Sequence, residues 1–230
     1  MQEAIQELLQ AKPDLVLIPG DLTKDGELVC HNSVHTYLEQ LIQAGIKVRV
    51  ITGNHDIFNP HSYQYDGATQ TRVANIGPAQ FRSIYYDCGY SDTLYTDPNS
   101  LSYVSEPLPN LWLIAIDCCK YDSVIDTIYT AGAIRPGTMK WVLDRMAEAA
   151  LKGKTVFGMM HHGLVEQFSE KHVTFPGGLY VQTDKRGIRQ LDVPIWNIKL
   201  GWNKKVAIRI YRVGGRNAIK CVEKRSGHYG

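Results

Sequence analysis

The chain has no run of about eighteen consecutive apolar residues, so no segment reads as a membrane-spanning helix. Its opening, Met1-Gln2-Glu3-Ala4-Ile5, lacks the basic and apolar stretches of a secretory leader and does not read as one as it stands. Cysteine is sparse and unpatterned. The five stand at 30, 88, 118, 119 and 221 with no Cys-x-x-Cys, which excludes a disulfide scaffold and makes the adjacent Cys118-Cys119 a poor structural-zinc signature. We read all five as free or incidental thiols. Net charge is only +2, so bulk charge points to no polyanionic partner. No internal repeat or low-complexity tract is present, which excludes solenoids and linker-like chains. What remains is 230 residues, 44% apolar and 21% charged: an ordinary globular composition, long enough to bury a core without disulfides.

Charge is nevertheless unevenly spread. Residues 1–175 hold 13 Lys/Arg against 20 Asp/Glu, a balance of −7, whereas residues 176–230 hold 12 against 3, a balance of +9. We therefore divide the chain into a domain over 1–175 and a basic C-terminal segment over 176–230. Such a segment can grip phosphates of nucleic acid or an anionic surface, but its cations are scattered and match no nucleic-acid motif.

Residues 2–11 place Ala4, Ile5, Leu8, Leu9 and Ala11 on one helical face, and Lys12-Pro13-Asp14 stops the helix. Leu15-Val16-Leu17-Ile18 reads as a strand covered on both faces. A second helix is expected over 32–44, ended by Gly45, and a strand over 48–51, giving a β-α-β unit with parallel strands. Residues 57–110, rich in Tyr, Asp, Ser, Asn, Pro and Gly, read as an irregular insertion with short elements such as 101–104. Its tyrosines, Tyr85, Tyr86, Tyr90, Tyr95 and Tyr103, are expected to pack that insertion. Buried strands follow at 111–116 and 155–160. Between them lies a helix over 138–152, capped by Thr138, with Met139, Val142, Leu143, Met146 and Ala150 inward. Alternation at Val206, Ile208 and Ile210, then Gly214-Gly215-Arg216-Asn217, predicts a hairpin running into 218–222.

Three polar clusters each follow an apolar strand: Gly20-Asp21-Leu22-Thr23-Lys24-Asp25-Gly26-Glu27, Gly53-Asn54-His55-Asp56 and His161-His162-Gly163. The carboxyl ends of parallel strands are where α/β sheets bind ligands, so Asp21, Asn54 and His161 are expected to meet in one crevice. A carboxylate, an amide oxygen and an imidazole are hard-to-borderline ligands for a divalent ion. A carboxylate can bridge two ions, glycines permit tight turns, and paired metals can acidify a water and clamp a phosphoryl group. A histidine at the rim could protonate a leaving oxygen.

These clusters, GD, GNHD and HHG in that order, resemble the motifs of the calcineurin-like metallophosphoesterases over residues 1–175. The resemblance implies an αββα sandwich of mixed β-sheets flanked by helices. It also implies hydrolysis of a phosphomonoester or phosphodiester by a metal-bound hydroxide, with Mn, Fe or Zn as the ions. Carried over residue by residue, Asp21 is the bridging carboxylate, and Asn54 and His161 are ligands of one metal. His55 contacts the phosphate and assists the leaving group, Asp56 is its orienting partner, and His162 holds the geometry from behind. The family's opening Asp-x-His is not found before Asp21, and its closing Gly-His-x-His is approached only by Gly227-His228-Tyr229-Gly230. We therefore expect a chain truncated at its N-terminus and an aberrant basic tail. One metal is then possible rather than a pair, and a catalytically inactive remnant of the fold is the rival to an active hydrolase. His31, His35, His61 and His172 are expected at the surface without a role, and Glu27 as a solvated carboxylate at a helix start.

Overall fold

A computed structural model describes residues 1–121 and 132–162, together with the backbone of short strands at 181–183, 189–191, 206–213 and 216–223. The first unit is α1 (Gln2–Ala11), β1 (Leu15–Ile18), α2 (Leu28–Gln43) and β2 (Lys47–Val50). α1 stops where Lys12 turns left-handed, at φ 47°, and returns its N–H to Leu8 O. Gly45, at φ 82°, ends α2, and Ile46 N–H reaches back to Leu41 O. β1 and β2 pair in parallel, Leu15 with Lys47 through Ile18 with Val50.

A second, six-stranded sheet is built from β5 (Thr93–Thr96), β6 (Tyr103–Leu108), β7 (Leu111–Ile116), β8 (Thr155–Met160), β11 (Val206–Val213) and β12 (Arg216–Glu223). Its order is β11-β12-β8-β7-β6-β5, with β7 and β8 parallel from Leu111–Thr155 to Ile116–Met160. The helix α4 (Pro136–Leu151) links β7 to β8.

Alternation along β7 sets the layers. Trp112, Ile114 and Ile116 pack with Val142 and Ala149 of α4. Leu113 and Ala115 face the other way, into a core shared with Val48 and Val50 of β2 and Leu38 and Leu41 of α2. The stacking is thus helices, small sheet, large sheet, helix: the αββα sandwich. Each fully buried aliphatic side chain in these layers contributes about 1.5–3 kcal/mol.

Several boundaries differ from the sequence reading. α2 begins at Leu28 rather than 32, because Glu27 is the extended residue before it. α4 begins with Pro136 at its first turn, two residues before Thr138. Thr138 is no cap; its buried hydroxyl donates to Asp97 Oδ2 at 2.5 Å. Ala150 is exposed and Ala149 takes the inward position. The stretch 57–110 is more regular than expected. It holds a hairpin of β3 (Tyr63–Asp66) and β4 (Thr69–Arg72), a short helix α3 (Pro78–Ile84) and the edge strands β5 and β6 of the large sheet. Tyr85, Tyr90 and Tyr103 are buried in the core, while Tyr86 is exposed. In the basic segment, β11 and β12 pair antiparallel, and β12 joins β8 through Ile219–Gly158 and Lys220–Phe157. The turn residues 214 and 215 lie outside the described residues. The remaining strands, β9 (Val181–Thr183) and β10 (Arg189–Leu191), pair with each other. Among the described residues no helix is long and apolar enough to cross a membrane.

Candidate metal centre

Asp21 and Asn54 stand in the turns that follow β1 and β2. The ladder continues one step past the strands, Ile51 N–H donating to Ile18 O at 3.1 Å, and then the two chains turn against each other. Gly20 has φ 92°, and a Cβ there would lie 2.3 Å from Gly53 N. A Cβ on Gly53 would lie 2.2 Å from Asp21 N and 2.3 Å from Asp21 Oδ1. Only glycine fits at either position. Asp21 itself is left-handed, at φ 54°, a conformation that costs a non-glycine residue about 1–2 kcal/mol and is held here by its surroundings. His55 N–H donates to Asp21 Oδ1 at 3.2 Å and fixes the carboxylate.

His161 follows β8 in the facing sheet. Its Nδ1 lies 2.9 Å from Pro19 O, and a carbonyl only accepts, so that nitrogen carries the proton. Its Nε2 lies 3.0 Å from Asn54 Oδ1 and 3.3 Å from Asp21 Oδ2, two oxygens that only accept, so either a proton on Nε2 or a cation must sit between them. Three donors from distant parts of the chain therefore meet, from two stacked sheets rather than from neighbouring strands of one. Burial disfavours the charged imidazole of His161, but the Asp21 carboxylate outweighs it and raises the pKa. Burial likewise pushes Asp21 up, and His161 with the His55 amide pulls it below the usual carboxylate range.

The donor set fits a divalent ion. Ligands about 2.1 Å from one ion keep neighbouring donor atoms roughly 3.0–3.5 Å apart, which is the spacing found. A second-sphere carbonyl on the far nitrogen of a ligating histidine is the arrangement that fixes its tautomer.

His55 and Asp56 are adjacent but do different things. The His55 ring lies over the first turn, Nδ1 2.7 Å from Lys24 O and 3.2 Å from Asp25 Oδ1. The Asp56 carboxylate is buried away from that ring. It accepts from Gly53 N at 2.8 Å and from Thr23 N at 3.0 Å, stapling the two turns together. The carboxylate beside His55 is thus Asp25, which the sequence reading quoted within its motif without giving it a role. Lys24 and Asn59 hold Asp25 in turn. Burial raises the Asp25 pKa, and Lys24 and His55 more than reverse it.

Two surface expectations are corrected. His31 is fully buried between Phe81 and Tyr85, with Nε2 2.9 Å from Asp56 O and Nδ1 2.8 Å from Tyr85 Oη. Burial pulls its pKa down to about 4, so it stays neutral and props the GNHD turn from behind. Glu27 is also buried and accepts from Asp25 N at 3.0 Å. His31 lies on the same helical stripe as Val34, Leu38 and Leu41, so its burial was legible from the period, whereas Glu27, just before the helix, carried no such signal. His61 is exposed, His35 is half-buried against Asp87, and Gly163, His172 and His228 lie outside the described residues.

An αββα sandwich with oxygen and imidazole donors gathered at strand ends defines a metal-binding hydrolase class. Residues 1–189 match the family model described as calcineurin-like phosphoesterase, and the chain belongs to that family. Family membership brings metallophosphoesterase-type hydrolysis and the use of divalent metals as general properties. No curated protein matches the chain.

Proposed function

We propose that the chain hydrolyses a phosphomonoester or phosphodiester at this cluster, with Asp21, Asn54 and His161 holding a divalent ion of the Mn, Fe or Zn kind. The observation that carries this is the convergence of their three donor atoms, 3.0 and 3.3 Å from a common nitrogen. A bound ion there supplies Lewis-acid polarisation of the phosphoryl oxygen and acidifies an attacking water.

The chain's own residues do the rest. With Nδ1 committed to Lys24 O, His55 exchanges its proton at Nε2 and delivers it to the leaving oxygen. Asp25 stabilises the imidazolium from the Nδ1 side. Asp56 is a positioning residue: through Gly53 N and Thr23 N it keeps both turns in place.

The test is hydrolysis of bis-p-nitrophenyl phosphate and p-nitrophenyl phosphate by the full chain after addition of Mn2+ or Zn2+. Metal-dependent turnover should fall by about 100-fold or more in H55Q, the range expected for a lost general acid. No turnover by folded, metal-loaded protein on either ester would overturn the reading and leave an inactive member of the family.

A further inference from the structure

Past the oxygen-rich cluster, the tips of β7 and β8 bring together a second set of donors. Cys118, Cys119 and His162 offer two Sγ atoms and one Nδ1, all within 4.8 Å of one another. The Nδ1 of His162 is 3.3 Å from Cys118 Sγ and 4.0 Å from Cys119 Sγ. A tetrahedral ion with bonds of about 2.3 Å to sulfur and 2.0–2.1 Å to nitrogen holds such pairs roughly 3.6 Å apart, midway between the two observed values. Both thiols are buried, and the imidazole is half-buried.

The surroundings suit a bound ion. His162 N–H donates to Cys118 Sγ at 3.3 Å, the kind of backbone contact that supports a thiolate ligand. A Cβ on Gly132 would come within 2.4 Å of His162 Cγ, so that backbone pins the ring's orientation. The adjacent carboxylate of Asp117 is committed elsewhere, to the amides of Leu101 and Cys119 and to Tyr121. Among the described residues the donor set is therefore two sulfurs and one nitrogen, a soft set beside a hard one. Two thiolates also neutralise a dication, which lowers the penalty for burying it.

We propose that Cys118 Sγ, Cys119 Sγ and His162 Nδ1 form a second metal site, selective for a thiophilic divalent ion of the zinc type. On binding, each thiol gives up its proton to solvent and no electron is transferred. Cys119 exchanges its present contact with Thr52 O for the ion. The fourth position is left to water. No donor is shared with Asp21, Asn54 and His161, so this site stands or falls apart from the phosphoesterase reading.

The experiment is a titration of the reduced, metal-free full chain with Cd2+ as probe. An ultraviolet sulfur-to-cadmium charge-transfer band should appear and saturate at one ion per chain, with release of two protons. It should persist in the C30S/C88S/C221S variant and in D21N, vanish in C118S/C119S, and require at least about tenfold more Cd2+ in H162Q. Absence of the band from folded wild-type protein at saturating Cd2+ would overturn the proposal. So would its survival in C118S/C119S. If that variant does not fold, the triple variant decides: loss of the band there assigns the ion to other thiols and overturns the site. A chain inactive with Mn2+ but showing the band would fail the phosphoesterase reading alone.

Discussion

The protein contains two parallel strand pairs, β1/β2 and β7/β8, and each ends in polar turns on the same side of the sandwich. Their tips differ in chemistry. The first pair presents the oxygens of Asp21 and Asn54; the second presents the sulfurs of Cys118 and Cys119 and the imidazoles of His161 and His162. They differ in construction too. The first pair is closed by backbone, Gly20 and Gly53 in contact too tight for any Cβ. The second is closed by side chains, through sulfur–imidazole contacts and edge-to-face packing of the two histidines, 4.8 Å between ring centroids. A strand ladder fixes where a tip lies; the residues just beyond it decide which ion can sit there. His161 belongs to the second pair by chain and to the first by contact, and it joins the two.

The sharpest way to break the contrast is at the oxygen tip. D21N should lower metal-dependent phosphoesterase turnover by at least about 100-fold, because it removes charge and a ligand together; steady-state rates across a Mn2+ titration check this. G53A should follow. Its methyl must displace the Asp21 backbone, at a cost of about 1–3 kcal/mol in stability read from urea midpoints, and Mn2+ affinity should drop with it. The equivalent insertion at the side-chain-closed tip, G132A, would meet His162 at Cβ and Cγ rather than the Asp21 backbone, so it should displace that side chain yet leave Mn2+ affinity within about threefold.

A smaller and slower test uses pH. His31 is held neutral by burial, its pKa down at about 4 against 6.5 when unfolded. The unfolded chain therefore binds the extra proton first on acidification, so the contribution of His31 is full above pH 6.5 and is lost as pH falls towards 4. This is worth up to about 3 kcal/mol. Asp56 works oppositely. Burial lifts its pKa to about 6, and its share falls as pH rises from 3.8 towards 6. H31Q should then flatten the rise in urea midpoint between pH 4 and 6.5. The smallest effect should come from the exposed Lys140–Asp144 pair on α4, where D144A should change stability by no more than about 0.5 kcal/mol.

Much of this was readable in the chain because apolar runs and glycine turns are local signals. Leu15–Ile18 and Leu111–Ile116 announce strands, although only the second is buried and Leu15–Ile18 is half-buried along its length, and the GD, GNHD and HH tips mark where their ends must be polar. The two-sheet split was not readable from those runs, since pairing depends on which face of β7 meets β2, and both faces are apolar. The roles of Asp25 and His31 were hidden for another reason: each acts through a hydrogen bond to a residue 30 or 25 positions away, and no periodicity encodes such a contact. Cys118-Cys119 lacked any metal-ligand spacing, because its third donor comes 43 residues later from the neighbouring strand. The short polar strands of 57–110 were missed since exposed β3 and β4 carry no hydrophobic alternation.

One consequence follows from the bond between His161 Nδ1 and the Pro19 carbonyl. It ties the last residue of the deep layer to the turn of the shallow one, so whatever occupies the donors beside it must clasp both halves of the sandwich at once. An ion loaded there should therefore tighten the domain. By mass action, an ion at about 100 times its dissociation constant should raise the unfolding free energy by roughly 2.7 kcal/mol, so a melting curve can serve as a gauge of occupancy without any substrate.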